Sequence, residues 1–293
     1  MKEKIGYQLI YGLLKLLALL PLWLLYGLSD LMFVIMYYIV RYRRKLVWKN
    51  LRRIYPEMPE KELRRIERGF YRNLCDVFIE AVKLLHFSDK QARERIEIRG
   101  GELIDDCARR GKSAVVMLGH VGNWEWIPSV ASSTEEPVLF CQIYHPLRNK
   151  IMDRLMLKIR SRFGTESIPM KKTVRRLLEM EREGQHFVCG FIADQRPFTQ
   201  ALHHWTTFLG QETPYVTGGE TIGNHVGAEY FYIDVEKPRR GHYHLTFKPI
   251  EPMQDGEEFP YTRAYLKMLE QTIHRNPSLW LWSHNRWKRK KQQ

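Results

Sequence analysis

Apolar positions crowd the first 40 residues and then give way to shorter, patterned runs. Residues 5–40 are mostly apolar, interrupted by Lys15, Pro21 and Asp30. Residues 22–40 form a 19-residue stretch with one charge, close to the ~20 needed to cross a bilayer. Lys2 and Lys4 precede this region and Arg41-Tyr42-Arg43-Arg44-Lys45 follows at once, so both flanks favour the cytoplasm. The pattern predicts a membrane anchor over residues 1–45, either a single span or a re-entrant hairpin turning near Pro21. Tyr37, Tyr38, Tyr42 and Trp48 are placed as interfacial anchors. A signal peptide fits less well, because the stretch is too long and no small-residue cleavage site follows it. A buried core helix is the other reading.

From Trp48 the apolar period becomes helical. One helix is expected to stop at Pro56. A second is expected from Pro59, with Leu63, Ile66, Phe70, Leu74, Val77, Phe78, Ala81 and Leu85 on one face. Beyond about Ile96, strands and helices alternate. Residues 95–99, 114–118, 137–144 and 187–193 read as strands; residues 103–110, 124–130, 149–163 and 174–183 read as helices. A further helix is expected within 214–227, two strands at 228–236 and 242–249, and a last helix over 261–274. This alternation predicts an α/β fold over residues 46–293, with a mixed, partly parallel sheet flanked by helices. The N-terminal membrane-anchoring helical segment precedes it. The one biased segment is the basic tail from Arg286 to Lys291.

Candidate chemistry sits where the β-branched run Ser113-Ala114-Val115-Val116-Met117-Leu118 ends at Gly119 and His120 follows. In open α/β sheets, ligands bind outside the carboxyl ends of strands. Asn123 is a plausible helix cap, and Glu125 lies five residues after His120. A histidine there suits general-base work, and a carboxylate can fix its tautomer and stabilise the imidazolium. Taken without its neighbours, His120 reads more readily as a core histidine. Other chemistries are thinly supported. No G-x-S-x-G is present, and Cys189 lies within an apolar strand. His203-His204 and His242-x-His244 lack a carboxylate or cysteine at ligand spacing, so no metal is expected. Cys75, Cys107, Cys141 and Cys189 are far apart and read as small buried hydrophobes.

Charge adds a partner class. The 293 residues carry 47 basic and 33 acidic side chains, a net +14. A polyanionic partner follows: nucleic acid, an anionic membrane or a phosphorylated glycolipid. The ending, with Trp280, Trp282, Arg286, Trp287 and Lys288, suits either stacked bases or a bilayer surface. The apolar N-terminus favours the membrane, so no nucleic acid is expected.

The string Gly119-His120-Val121-Gly122-Asn123-Trp124-Glu125 resembles the signature of the bacterial lipid A late (lauroyl/myristoyl) acyltransferases. These belong to the lysophospholipid acyltransferase superfamily, which shares H-x4-D/E. Three further blocks carry the resemblance across nearly the whole chain. They are Tyr144-His145-Pro146-Leu147-Arg148-Asn149 with Asp153, Arg160 and Arg162, then Asp194-Gln195, and the ending from Asn276 to Lys288. One departure is His145, where the family pattern suggests Arg or Lys.

The resemblance implies an O-acyltransferase at the cytoplasmic face of the inner membrane. The donor would be an acyl-acyl carrier protein thioester, or acyl-CoA, with no other cofactor. The acceptor would be a hydroxyl of a lipid A precursor. His120 is the expected base and Glu125 its partner, with direct attack and no acyl-enzyme. Gly122, Asn123, Arg148, Asn149, Arg160, Arg162, Asp194 and Gln195 are the expected substrate-binding positions. Guanidinium groups pair with phosphate, although a solvated helix face accounts equally well for the arginines. Capping of the next segment is the plainer role for Asp194. The rival readings are acylation of another lipid (a lysophospholipid, an aminolipid or a phosphatidylinositol mannoside), a non-catalytic basic membrane-binding protein, and a nucleic-acid binder.

Overall fold

A computed structural model describes residues 2–198 and 202–289. The chain opens with helices α1 (Lys2–Leu19) and α2 (Leu22–Val34), divided at Pro21. A π-helical turn, Ile35–Ile39, continues α2. Proline lacks the N–H that would continue α1 and clashes with the preceding turn. Leu22–Ile39 is the one candidate among the described residues for a helix long and apolar enough to cross a membrane, with mean hydropathy 1.6. Next come α3 (Arg44–Ile54), α4 (Glu60–Lys83) and α5 (Asp89–Arg93). The break between α3 and α4 falls at Pro56–Pro59, as the prolines suggest.

The α/β body then runs β1 (Ile96–Arg99), α6 (Gly101–Arg109), β2 (Ala114–Leu118), β3 (Leu139–Tyr144), α7 (Lys150–Arg160), β4 (Glu166–Pro169), α8 (Thr173–Arg182) and β5 (Phe187–Ile192). It continues with β6 (Trp205–Phe208), β7 (Gln211–Pro214), α9 (Gly218–Val226), β8 (Glu229–Arg239), β9 (His242–Pro249) and α10 (Pro260–Arg275). Seven strands form one sheet in the order β1-β9-β8-β2-β5-β3-β4. Every neighbouring pair is parallel except the β8–β9 hairpin. The mixed, mostly parallel sheet with flanking helices is the architecture the alternation predicts. All five residues of β2 are buried, as a central parallel strand requires. Strands β6 and β7 form a separate hairpin. All four cysteines are buried and unpaired.

One local expectation fails. Residues 124–130 do not form an α-helix: Trp124 to Trp126 make turns, and a 3-10 helix, Ile127–Ser132, follows. Pro128 at the second position of that helix has no N–H to give. The apolar N-terminus packs on the body. Leu22, Leu25, Phe33 and Tyr37 join the core, and polar groups pin the same face of α2 to α4. Tyr26 donates to Glu80 (2.9 Å), Ser29 to Asp76 (2.8 Å) and Tyr37 to Glu67 (3.0 Å). Lys83 donates to the carbonyls of Ala18 and Leu20, 2.8 Å each, and so clamps the α1–α2 corner. The other face leaves Leu9, Leu13, Leu16, Trp23, Leu31 and Ile39 exposed.

Candidate active site

Strands β2 and β5 pair in parallel with Leu118 opposite Ile192. Two residues beyond that pair on each strand stand His120 and Asp194, so strand register alone brings them side by side. The backbone N–H of His120 donates to Asp194 Oδ2 (2.9 Å), and Nδ1 lies 2.7 Å from Oδ1. The Trp280 indole N–H also donates to Oδ2 (2.8 Å). Asp194 keeps 1% of its side chain exposed, and His120 keeps 18%. Burial alone raises the Asp194 carboxyl, but His120 and the Trp280 donor outweigh it and hold it at about 2. An ionised Asp194 requires the proton on Nδ1, which leaves the Nε2 lone pair as the basic site. Gln195 Nε2 lies 3.3 Å from both ring nitrogens. Trp124 meets the ring edge-on with centroids 5.2 Å apart.

The expected His120–Glu125 pairing is not formed. Glu125 faces Arg160 on α7, which donates from Nε to Oε2 (2.8 Å) and from an Nη to Oε1 (2.6 Å). The turn that replaces the expected helix accounts for this. Asn123 Oδ1 accepts the Glu125 N–H (3.1 Å), and the carboxylate leaves toward α7 while Asp194 occupies Nδ1. The aspartate expected to bind substrate or cap a segment is thus the histidine's partner, and Arg160 is held by a carboxylate.

The other candidate positions are scattered. Gly122 has φ +62°, and a Cβ there would lie 2.9 Å from Val235 Cγ1, so both conformation and space require glycine. Its N–H donates to the Leu279 carbonyl (3.0 Å) and its carbonyl accepts from Asn73 (3.2 Å). Asn149 caps α7 by accepting from the N–H groups of Ile151 (3.0 Å) and Met152 (3.2 Å). Arg162 donates to the Phe87 carbonyl. Arg148 is exposed. His244, one of the paired histidines, meets Glu97 (3.1 Å) and Glu236 (3.5 Å).

The C-terminal segment supplies what sequence reasoning missed. Trp280, Trp282 and Trp287 are buried. They face neither bases nor a bilayer, and their indoles donate to Asp194, the Pro277 carbonyl and Thr213. Leu281 N–H donates to the His120 carbonyl (3.1 Å), and Trp280 bridges Val121. The segment is therefore a wall of the His120 loop. Arg286 is buried, and its three guanidinium nitrogens have no hydrogen-bond partner among the described residues. Burial pushes it down to about 10 against the pull of Asp194. The last basic residues, 290–291, lie outside the described residues.

His284 completes this wall, its Nε2 accepting the Arg196 N–H (3.2 Å). Burial pushes its imidazole down to about 4, opposed by Asp194 and helped by Arg286, His120 and Arg196. A folded pKa below the unfolded ~6.5 means that the native state holds fewer protons between them. Stability from this group is therefore full above ~6.5 and falls as pH drops toward 4. His284→Gln keeps an acceptor for Arg196 and removes the titration. Its loss of melting temperature between pH 7 and pH 5 is expected to be smaller than wild type's. Equal losses in the two proteins would rule this out.

The family model described as bacterial lipid A biosynthesis acyltransferase matches residues 2–289. Among curated proteins, the chain is similar to the lipid A biosynthesis lauroyltransferase of Escherichia coli (strain K12). The two are 23% identical over 282 residues, covering 94% of this chain and 89% of that protein.

Proposed function

The chain belongs to the bacterial lipid A biosynthesis acyltransferase family, and on that premise we propose that it moves a fatty acyl chain from an acyl carrier protein thioester to a hydroxyl of a lipid A precursor. The observation that carries this reading is the His120–Asp194 pair at adjoining strand ends. His120 Nε2 takes the acceptor hydroxyl's proton as its oxygen attacks the thioester carbon. The new C–O ester bond forms, the C–S bond breaks, and the imidazolium returns the proton to the departing thiolate. Asp194 fixes the tautomer and balances the imidazolium. No acyl-enzyme is needed.

The test incubates detergent-solubilised protein with acyl carrier protein and CoA donors of several chain lengths and a tetra-acylated lipid A precursor, read by mass spectrometry. The expected product is heavier by one acyl chain and absent with His120→Ala. A gain on lysophospholipid or aminolipid acceptors alone would move the reading to those lipids. A gain from CoA donors alone would remove the carrier protein from it.

The apolar hairpin supports seating on the cytoplasmic leaflet of the inner membrane. A re-entrant arrangement fits better than a span, because one face of α2 is committed to α4 and Asp30 on α2 pairs with Arg240 (2.8 Å). Such a helix lies with its apolar face roughly 5–10 Å into the headgroup boundary. A tag fused before Lys2 and Lys45→Cys are both expected to react with impermeant reagents from the cytoplasmic side. A tag reached only from the opposite side identifies a span and overturns the hairpin.

A further inference from the structure

A fully buried carboxylate on α4 touches both the lipid-facing hairpin and the His120 loop. Glu80 Oε1 accepts from Tyr26 on α2 (2.9 Å), and Oε2 accepts from Asn123 Nδ2 (2.7 Å) and from Tyr243 on β9 (2.8 Å). Its own carbonyl accepts from the Trp126 indole (3.0 Å). Asn73, two turns earlier on the same stripe of α4, donates to the Gly122 carbonyl (3.2 Å). Between them, Asp76 accepts from Ser29 of α2 (2.8 Å) and Lys237 (3.3 Å). One face of α4 therefore holds the loop at Gly122, Asn123 and Trp126, and holds α2 at Tyr26 and Ser29. Asn123 passes the connection on, since its Oδ1 accepts the N–H of Glu125, which binds Arg160.

We propose that Glu80 is a positioning residue that ties the seat of the N-terminal apolar hairpin to the conformation of the His120–Glu125 loop, so that the hairpin is part of the active-site support as well as a membrane anchor. The proposal rests on the acyltransfer reading for its kinetic consequence only. Burial is the reason such a group is sensitive: a fully desolvated carboxylate with three side-chain donors cannot lose one without leaving a polar atom unpaired. The exposed face of α2, with Trp23, Leu24, Leu28 and Leu31, finds its natural solvent in lipid, and that seating keeps the Tyr26 hydroxyl on Glu80.

The experiment uses full-length protein in detergent and in anionic vesicles, with three variants. Tyr26→Phe removes only the helix-side donor. Glu80→Leu removes the hub. Glu80→Gln can keep its oxygen toward Asn123 and Tyr243 and offer an N–H to the Tyr26 oxygen. Hydrogen exchange of the Trp124, Glu125 and Trp126 amides is expected to quicken about tenfold in Tyr26→Phe and Glu80→Leu, as loss of one buried hydrogen bond allows. It should stay near wild type in Glu80→Gln. In the transfer assay kcat is expected to fall about three- to tenfold with the acceptor KM unchanged. Unchanged loop exchange in Tyr26→Phe, with a lowered melting temperature alone, would reduce Glu80 to a structural role and overturn the proposal. Should Glu80→Leu fail to fold, Tyr26→Phe decides by itself. Exchange needs no substrate, so failure of the transfer reading leaves this arm intact.

Discussion

Replacing Asp194 by Asn is expected to lower acyl transfer about 10³- to 10⁴-fold, close to the loss from His120→Ala, with the fold retained. An amide has one acceptor oxygen where the carboxylate has two, and Asp194 receives the His120 N–H, Nδ1 and the Trp280 indole. The substituted amide can turn either way, and both orientations stop the base. With the amide N–H toward the imidazole, Nδ1 must accept, the ring proton moves to Nε2, and the basic lone pair is gone. With the amide N–H toward the backbone and Trp280, donors meet donors and the strand ends part. The native carboxyl is held at about 2, so it stays ionised through any working pH. Kinetics on soluble donors, with circular dichroism as the fold control, check this. A loss under tenfold would remove Asp194 from the proton path. Glu125→Gln separates the two carboxylates: if Glu125 served His120, its loss would match that of Asp194→Asn, whereas the Arg160 pairing predicts a smaller kinetic effect.

Why Glu125 is the carboxylate suggested by the sequence and Asp194 the one in contact comes down to range. His120 and Glu125 share one local string, whereas Asp194 lies 74 residues away. Their meeting depends on β5 entering the sheet between β2 and β3, and strand order is not written in a hydrophobic pattern. Strands β2 and β5 themselves are legible, because both are compact apolar runs, and so is α4, whose apolar period extends over 24 residues. The missed strands β4, β6 and β7 have four residues each and mixed polarity, too short for alternation to register. The turn joining β6 to β7 is made by Leu209 (φ +51°) and Gly210 (φ +68°); only the glycine is a turn signal. The C-terminal tryptophans misled for another reason. Set beside Ser283, His284, Asn285 and a basic tail, they look like a surface. They are buried because Phe208 of β6 meets Trp280, Thr213 of β7 meets Trp287 and Tyr55 meets Trp282, tertiary facts with no local mark.

The ion pair that displaced the expected one should show its worth in stability. Arg160→Ala is expected to destabilise the fold by about 3–5 kcal/mol, since it strands the Glu125 carboxylate without its bidentate partner. Glu125 keeps only 8% of its side chain exposed and Arg160 keeps 23%, so solvent can rescue the arginine more readily than the glutamate. Glu125→Gln, which strands the arginine, is therefore expected to cost less than Arg160→Ala. The double variant Glu125→Gln with Arg160→Ala removes both charges and should recover much of the loss, because no charge is then left buried without its partner. Urea unfolding of the four proteins gives the coupling energy directly, provided the slopes stay equal. Additive losses, with no recovery in the double variant, would mean that the two side chains act independently. Recovery of stability without recovery of turnover would locate a kinetic role in the pair, through the Asn123–Glu125 turn that it anchors beside His120.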